Sequence, residues 1–242
     1  MSLLAVEELE SRHGLLVAVR GVTFAVAERE IVALVGANGA GKTTLLRTIA
    51  GTHRPASGRI VFDGRDVTAT RANRRARSGI ALVPEGRKLF GNMTVEENLL
   101  VAGRTGRPGP WNYESVLDAF PMLKPHVKRR SGDLSGGQMQ ATAIGRALMT
   151  NPRVLLLDEV SLGLSPLAVG VVYESLQTVI AGGATIVLVE QDLGRALRTA
   201  TRVACMLEGR IVLDEAIGNV TREQITEAYF GLRRPASEAR AS

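Results

Sequence analysis

The sequence predicts an α/β fold in which a mostly parallel sheet is covered by helices on both faces. Three runs of four or five apolar residues, at 31–35, 154–157 and 186–189, are typical of fully buried strands. Helical patterns follow the first two runs, and such alternation of strands and helices is typical of parallel sheets. The length of 242 residues is enough for one large domain or two small ones with a buried core.

The first third of the chain begins with β structure and continues into the first buried strand. Residues 3–30 alternate apolar and polar side chains in short runs, which predicts antiparallel strands. The strand at 31–35 leads into a glycine-rich turn and a helix over about 42–51. Residues 59–67 predict a hairpin that turns at Asp63-Gly64.

The pattern becomes helical in the middle of the chain. The basic stretch at 71–77 predicts a helix with a solvated charged face, and 80–83 predicts a short strand. From about 86 to 150 the sequence predicts helices punctuated by prolines. Two sequences of the form S/T-x-x-E/Q, Thr94 to Glu97 and Ser135 to Gln138, predict capped helix starts, the first opening a helix through Leu100.

The last part returns to alternating helix and strand. We predict a helix over 169–181, the buried strand at 186–189, and a hairpin over 203–213 that turns at Glu208-Gly209. The expected division is a core at 1–85 and 151–230, an inserted helical subdomain at 86–150, and a disordered tail at 231–242.

Composition excludes several classes of protein. Hydrophobic residues make up 45% and charged residues 22%, which excludes disordered, collagen-like and coiled-coil chains. No apolar run approaches the roughly 18 residues of a membrane span, and the acidic residues near the N-terminus argue against a signal peptide. The single cysteine, Cys205, excludes an internal disulfide and favours a reducing compartment. The net charge of +6 comes with few aromatic residues, so no nucleic-acid partner is expected.

A phosphate-binding loop follows the first buried strand. Residues 36–43 fit G-x-x-x-x-G-K-[ST] between a strand and a helix, which is the context that this motif requires. Its backbone N–H groups wrap an anion at a helix N-terminus, Lys42 would reach the β- and γ-phosphates, and the Thr43 hydroxyl would hold Mg²⁺. The predicted nucleotide-binding residues here are Gly36, Ala37, Asn38, Gly39, Ala40, Gly41, Lys42, Thr43 and Thr44.

Two further motifs point to the same chemistry. The apolar strand at 154–157 delivers Asp158 and Glu159 at its carboxyl end, where open α/β sheets bind ligands. Asp158 is suited to the Mg²⁺ shell, and Glu159, pointing the other way by strand alternation, to polarising the attacking water. The sequence at 134–138 offers a second anion cradle from Ser135, Gly136, Gly137 and Gln138, although for this fragment by itself plain helix capping is the better explanation.

These three motifs in this order resemble the ATP-binding cassette (ABC) ATPases over roughly residues 3–230. The resemblance implies a P-loop NTPase core that binds ATP and Mg²⁺ and hydrolyses the ATP. It also implies that two cassettes pair head to tail, so that the serine-capped helix of each seals the γ-phosphate held by the other. The motion of such a pair drives an attached protein.

A closer likeness is to the importer cassettes for branched-chain amino acids and their urea and amide relatives. The segments that carry it lie at 83–99, 119–124, 161–166, 188–192 and 228–231. The resemblance implies integral membrane permease subunits as partners, with segment 86–100 in contact with them. It also implies a second cassette, identical or different, an extracytoplasmic solute-binding protein acting indirectly, and a place on the cytoplasmic face of the membrane.

The chain departs from the general family pattern at five positions. Glu85 stands where most cassettes carry glutamine, and its carboxylate is still able to coordinate Mg²⁺. Gln191 stands where most carry a switch histidine, so an amide would donate to phosphate there without titrating near neutral pH. The other three are His13 in place of the tyrosine that stacks on adenine, Val160 in place of proline, and Ser165 in place of aspartate.

Other functions stay open on the sequence. A soluble cassette that remodels DNA or ribosomes would usually carry a coiled-coil insertion, zinc cysteines or a second fused cassette. A regulatory cassette would bind ATP without turnover, and Glu159 argues against it. A GTPase or a small-molecule kinase would need a base-reading or acceptor-binding motif in place of the sequence at 134–138.

Overall fold

The computed structural model of the protein describes residues 2–232. Its ten strands are β1 (Ser2–His13), β2 (Leu16–Ala27), β3 (Ile31–Val35), β4 (Ser57–Phe62), β5 (Arg65–Asp66), β6 (Ile80–Val83), β7 (Val154–Asp158), β8 (Thr185–Val189), β9 (Arg202–Leu207) and β10 (Arg210–Ala216). Its eight α-helices are α1 (Lys42–Ala50), α2 (Ala72–Ser78), α3 (Val95–Gly103), α4 (Tyr113–Ala119), α5 (Gly136–Leu148), α6 (Pro166–Ala181), α7 (Leu193–Thr199) and α8 (Arg222–Phe230).

The strands form two sheets, which confirms the predicted fold class. The antiparallel sheet has the order β2-β1-β4-β5, and the larger sheet has the order β10-β9-β3-β8-β7-β6. In the larger sheet all neighbouring pairs are parallel except β10 with β9. The carboxyl ends of β3, β7 and β8 therefore lie side by side at one edge, and this is where the motifs of the sequence meet.

Apolar packing on both faces holds the larger sheet. Every residue of β3, β7 and β8 is buried, as expected for strands covered on both sides. One cluster joins this sheet to α3, α5 and α6, with Leu99, Ile144 and Leu176 at 0% exposure. A second cluster fills the space between the two sheets and α1, and a third packs α7 and α8 on the outer edge.

Several element boundaries differ from the sequence expectation. Helix α3 continues to Gly103, three residues past Leu100, and α6 begins at Pro166 rather than 169. Proline at the first position of a helix costs no hydrogen bond, which explains the earlier start of α6. Both predicted capping boxes are present in full, at Thr94 and at Ser135. The division at residues 85 and 150 stays a prediction, and residues 233–242 of the predicted tail lie outside the described residues.

Helix α2 corrects the expectation of a fully solvated basic face. Arg75 is only 1% exposed, because its guanidinium reaches inward to four backbone carbonyls. It donates to the carbonyls of Thr48 and Ile49 at 2.8 Å each, and to those of Thr68 and Thr70 at 2.8 and 2.9 Å. The cation thus satisfies carbonyls at the C-terminus of α1 and in the loop before α2, and locks these two segments together.

We expect Arg75→Met to lower the free energy of unfolding by about 2–4 kcal/mol, since it leaves buried carbonyls without a donor. Arg77→Met on the same helix is the matched control, because Arg77 is exposed. Urea unfolding of both variants measures the difference. Equal midpoints for the two variants would show that the contacts of Arg75 contribute nothing to stability.

Candidate active site

The glycine-rich loop folds at the carboxyl end of β3 as the sequence predicts. Gly36 and Gly41 have φ values of +149° and +102°, a region that residues with a Cβ rarely adopt. A Cβ at Gly36 would lie 2.2 Å from the carbonyl oxygen of Met206, and one at Gly41 would lie 2.2 Å from that of Ala18. Only glycine fits at these two positions. The loop that they shape leads directly into the N-terminus of α1, whose first N–H groups are free.

Lys42 lies across this loop. Its ammonium donates to the carbonyls of Gly36 and Ala37 at 2.7 and 2.9 Å, and the residue is 4% exposed. Burial lowers the pKa of Lys42, while the negative charges of Glu159 and Asp158 oppose that shift. The loop thus holds a buried cation beside its own N–H groups, which is an arrangement suited to an anion with several charges.

Asp158 ends β7 with an acceptor that has no donor. One carboxylate oxygen, Oδ1, accepts from the Thr43 hydroxyl at 2.9 Å. The other, Oδ2, is buried and has no hydrogen-bond partner among the described residues. A buried carboxylate oxygen without a donor costs free energy unless a cation meets it. A hydroxyl and a carboxylate oxygen are also the ligands that Mg²⁺ prefers, so these residues fit the predicted metal.

Burial raises the pKa of Asp158, and the neighbouring charge of Glu159 raises it further. The folded protein therefore binds this proton more tightly than the unfolded chain does. As the pH rises through this raised pKa the carboxylate ionises at a cost to stability, whereas below about pH 4 it is protonated in both states.

Asp158→Asn should consequently raise the unfolding temperature of the metal-free protein at pH 7–8, by about 2–4 °C for each kcal/mol of cost removed. The gain should vanish near pH 4, where the parent carboxyl is also neutral. The same substitution should abolish the additional stabilisation by Mg²⁺ with ATP. Thermal unfolding at both pH values, with and without Mg²⁺ and ATP, measures all three effects, and a metal-free variant less stable than the parent at pH 8 would contradict the first.

Glu159 points to the site for a different reason from the one expected. Strand β7 ends at Asp158, so alternation along the strand does not orient Glu159. Instead Glu159 adopts a left-handed conformation with φ of +52°, which residues other than glycine rarely adopt. Its backbone N–H donates to the carbonyl of Val189 on β8 at 3.1 Å. Its carboxylate oxygen Oε2 accepts from the side-chain amide of Gln191 at 2.9 Å.

One open cavity of about 460 Å³ brings most of the predicted residues together. The predicted residues that line it are His13, Asn38, Gly39, Gly41, Lys42, Thr43, Thr44, Glu85, Glu159 and Gln191. Three further residues that were not predicted also line the cavity, namely Leu16, Ala18 and Leu162. No motif marks these three, because they reach the cavity only through the folding of β2 and of the loop after β7.

His13 lies at the edge of this cavity. Its Nε2 is 3.1 Å from the Thr44 hydroxyl, and its ring packs against that of His53 with centroids 4.6 Å apart and planes tilted by 41°. His53, which was not predicted as a site residue, thus packs against the imidazole of His13. The planar ring is exposed, and its stacking on a nucleobase stays a prediction.

The second predicted cradle does not reach the cavity of its own chain. Ser135 is exposed, and its hydroxyl accepts from the backbone N–H of Gln138 at 3.3 Å. In return the Gln138 side chain accepts from the backbone N–H of Ser135 at 2.9 Å. Gly136 and Gly137 open helix α5. Ser135 is therefore open to solvent, and none of these four residues lines the cavity that contains Lys42.

Several known proteins have sequences similar to this chain over most of its length. The model of the family described as "ABC transporter" matches residues 19–161, which is more than half of the chain. The high-affinity branched-chain amino acid transport ATP-binding protein BraG of Pseudomonas aeruginosa is 40% identical over 95% of this chain and 100% of the relative. The probable branched-chain amino acid transport ATP-binding protein LivF of Archaeoglobus fulgidus is 35% identical over 78% and 81%. The Nod factor export ATP-binding protein I of Rhizobium meliloti is 38% identical over 88% of this chain but 65% of the relative.

Solved structures share the fold over nearly the whole chain. A structure of an ATP-binding subunit of an ABC transporter has a TM-score of 0.82 with 28% identity, covering 96% of this chain and 100% of the other. A nucleotide-free ATP-binding cassette from an ABC transporter has a TM-score of 0.81 with 27% identity, over 95% and 99%. A bacterial cassette solved as a dimer has a TM-score of 0.78 at 23% identity, over 88% and 98%, and supports the fold alone.

Proposed function

The chain belongs to the ABC transporter family, and from this premise we propose that it is the ATP-hydrolysing subunit of an importer for branched-chain amino acids or related small amides and urea. One observation carries the ATPase part. A single cavity joins the glycine-rich loop and Lys42 to the Glu159–Gln191 pair, with the unpaired oxygen of Asp158 beside Thr43. The names of the similar proteins BraG and LivF support the class of solute.

The loop and its lysine bind the triphosphate. The backbone N–H groups of 36–43 surround the phosphates, and Lys42 exchanges its carbonyl acceptors for phosphate oxygens. Thr43 and Asp158 would hold Mg²⁺, with Glu85 as a further ligand from the cavity wall. When bound, Mg²⁺ neutralises charge that develops on the phosphates. The exposed ring of His13 supports the adenine.

Glu159 and Gln191 act on the attacking water. The carboxylate of Glu159 accepts a proton from the water, and the amide of Gln191 fixes the direction of that carboxylate through their 2.9 Å contact. An amide does not titrate near neutral pH, so Gln191 adds no step of its own to the pH–rate profile.

A second cassette, identical or different, completes the site. The start of α5, with Ser135, Gly136, Gly137 and Gln138, would meet the γ-phosphate held by a partner in a head-to-tail pair. Ser135 is exposed, which leaves this helix start accessible to a partner cassette.

A groove near the helical segment is suited to the permease. It measures about 520 Å³ and runs between α2, α3 and α5 with a mostly apolar lining that includes Phe90, 52% exposed. Lys88 and Phe90 belong to segment 86–100, the predicted permease contact.

No helix within residues 2–232 is long and apolar enough to cross a bilayer. We place the chain at the cytoplasmic membrane face, with a solute-binding protein acting across the membrane.

Reconstitution tests the proposal. The chain is co-expressed with candidate permease subunits and a second cassette from the same organism, purified as a complex and placed in liposomes with the solute-binding protein. Leucine, isoleucine, valine, urea or a short amide should stimulate ATP hydrolysis and enter the liposomes. Hydrolysis without a permease partner would favour a soluble cassette, and nucleotide binding without hydrolysis would favour a regulatory one.

A further inference from the structure

A buried carboxylate lies next to the candidate active site and is not used in the mechanism above. Glu190 follows β8 directly and is 1% exposed. One of its oxygens, Oε2, accepts from the Ser161 hydroxyl at 2.8 Å and from the backbone N–H of Gln191 at 3.2 Å. The other oxygen accepts from the hydroxyl of Tyr173 on α6. We call Glu190, Ser161, Tyr173 and Arg195 the Glu190 cluster.

Arg195 supplies the positive charge of the Glu190 cluster. Its guanidinium lies 3.7 Å from the Glu190 carboxylate and 5.3 Å from the centre of the Tyr173 ring. A buried carboxylate is stable only when donors and a cation compensate its lost hydration. These partners come from the loop after β7, from α6 and from α7, so the carboxylate joins three separate elements.

The Glu190 cluster contacts the two segments of chain that hold Glu159 in position. Ser161 stands two residues after Glu159 on the same loop, and Gln191 stands one residue after Glu190. The Glu159 carboxylate accepts from Gln191 at 2.9 Å, and the Glu159 backbone N–H donates to Val189 at 3.1 Å. The left-handed conformation of Glu159 is one that persists only when its surroundings hold it. Glu190 accepts hydrogen bonds from Ser161, on the loop of Glu159, and from the backbone of Gln191. It therefore contacts both segments that carry the Glu159–Gln191 hydrogen bond.

We propose that Glu190 is a positioning residue of the hydrolytic reaction, which keeps Glu159 and Gln191 aligned by binding Ser161 and the backbone of Gln191. The inference rests on the proposed function, because it needs Glu159 and Gln191 to act on ATP. Glu190 does not line the cavity and touches no substrate. Its effect must therefore pass through Gln191 and the loop of Glu159, and this dependence is what an experiment can measure.

A double-mutant cycle on the complete chain tests the proposal. Glu190→Ala should lower kcat for ATP by about tenfold or more and change KM by less than about twofold, because alignment matters in the transition state. In a Gln191→Ala background the same substitution should lower kcat by less than about twofold, since the group it positions is already missing. Glu174→Gln, an exposed glutamate on α6, should leave kcat unchanged.

The conservative variant adds a second readout. In Glu190→Gln the amide oxygen still accepts from Ser161 and Gln191 while the NH₂ group donates to the Tyr173 oxygen, so most of kcat should be retained. If Glu190→Ala does not fold, judged by circular dichroism, Ser161→Ala takes its place in the cycle with the same expectation. Losses that multiply in the cycle, or a rise in KM at constant kcat, would assign the Glu190 cluster a purely structural role and overturn the inference.

The parent protein separates the two proposals. If the parent hydrolyses ATP and the losses multiply, the inference fails and the proposed function stands. If the parent binds but does not hydrolyse ATP, the proposed function fails and the inference is overturned with it.

Discussion

Glu159→Gln should lower ATP turnover by about a hundred- to ten-thousand-fold, which is the usual contribution of a general base. The amide keeps the size of the side chain and still accepts from Gln191 through its carbonyl oxygen, but it takes no proton from water. ATP should bind the variant with a Kd within about threefold of the parent, because the triphosphate is bound by the glycine-rich loop and Lys42. Phosphate release measures turnover, and equilibrium binding of MgATP measures affinity.

The bound but uncleaved nucleotide should also prolong the pairing of two cassettes. Size-exclusion chromatography with MgATP should show a larger dimer fraction for the variant than for the parent. Glu208→Gln is a matched control, since Glu208 is also a glutamate with positive φ, +47°, but lies exposed in the β9–β10 turn. Turnover of Glu159→Gln at the parent rate would remove Glu159 from the mechanism.

Lys42→Ala should raise the Kd for MgATP by about a hundredfold or more. The ammonium is buried and held by two carbonyls that it would exchange for phosphate oxygens. A hydrogen bond from a charged group contributes about 1.5–3 kcal/mol, which corresponds to roughly 10- to 150-fold in Kd, and Lys42 would serve two phosphates. Titration calorimetry or fluorescence of a labelled nucleotide measures the change.

The control for Lys42→Ala is Lys124→Ala. Lys124 is exposed and pairs with Asp118 at 2.7 Å, so its removal should leave the Kd unchanged. Thermal unfolding should show that both variants are folded, because within residues 2–232 the Lys42 ammonium donates hydrogen bonds only to carbonyls of its own loop. If Lys42→Ala retains micromolar affinity, the loop of residues 36–43 does not bind ATP through this lysine.

Much of the fold follows from local patterns along the chain. Apolar runs marked β3, β7 and β8, and spacing of Ser, Thr, Glu and Gln marked the starts of α3 and α5. These features could be predicted because strand alternation, helix period and capping each depend on residues a few positions apart. The phosphate-binding loop could be predicted for the same reason, since its strand, turn and helix are continuous in sequence.

The misassigned residues are those whose partners lie far along the chain. Arg75 looks like a surface arginine in its helix, and its burial depends on carbonyls at the end of α1. Strand alternation was the wrong basis for predicting the direction of the Glu159 side chain. That direction depends on a left-handed backbone conformation, which a hydrogen bond to β8 holds. The roles of Glu85, Ser135 and His13 stay predictions that the variants and reconstitution above can test.

The sequence by itself determined the family, the fold class and the residues of the phosphate-binding loop, because each is encoded in short continuous stretches. Only the tertiary structure decided that Asp158 has an unpaired buried oxygen, that Glu159 meets Gln191, and that Glu190 is buried between them and α6. Those facts concern burial and the distance between residues at the ends of two strands and in the loops that follow them. Neither quantity exists until the sheet has formed and brought the ends of β7 and β8 together.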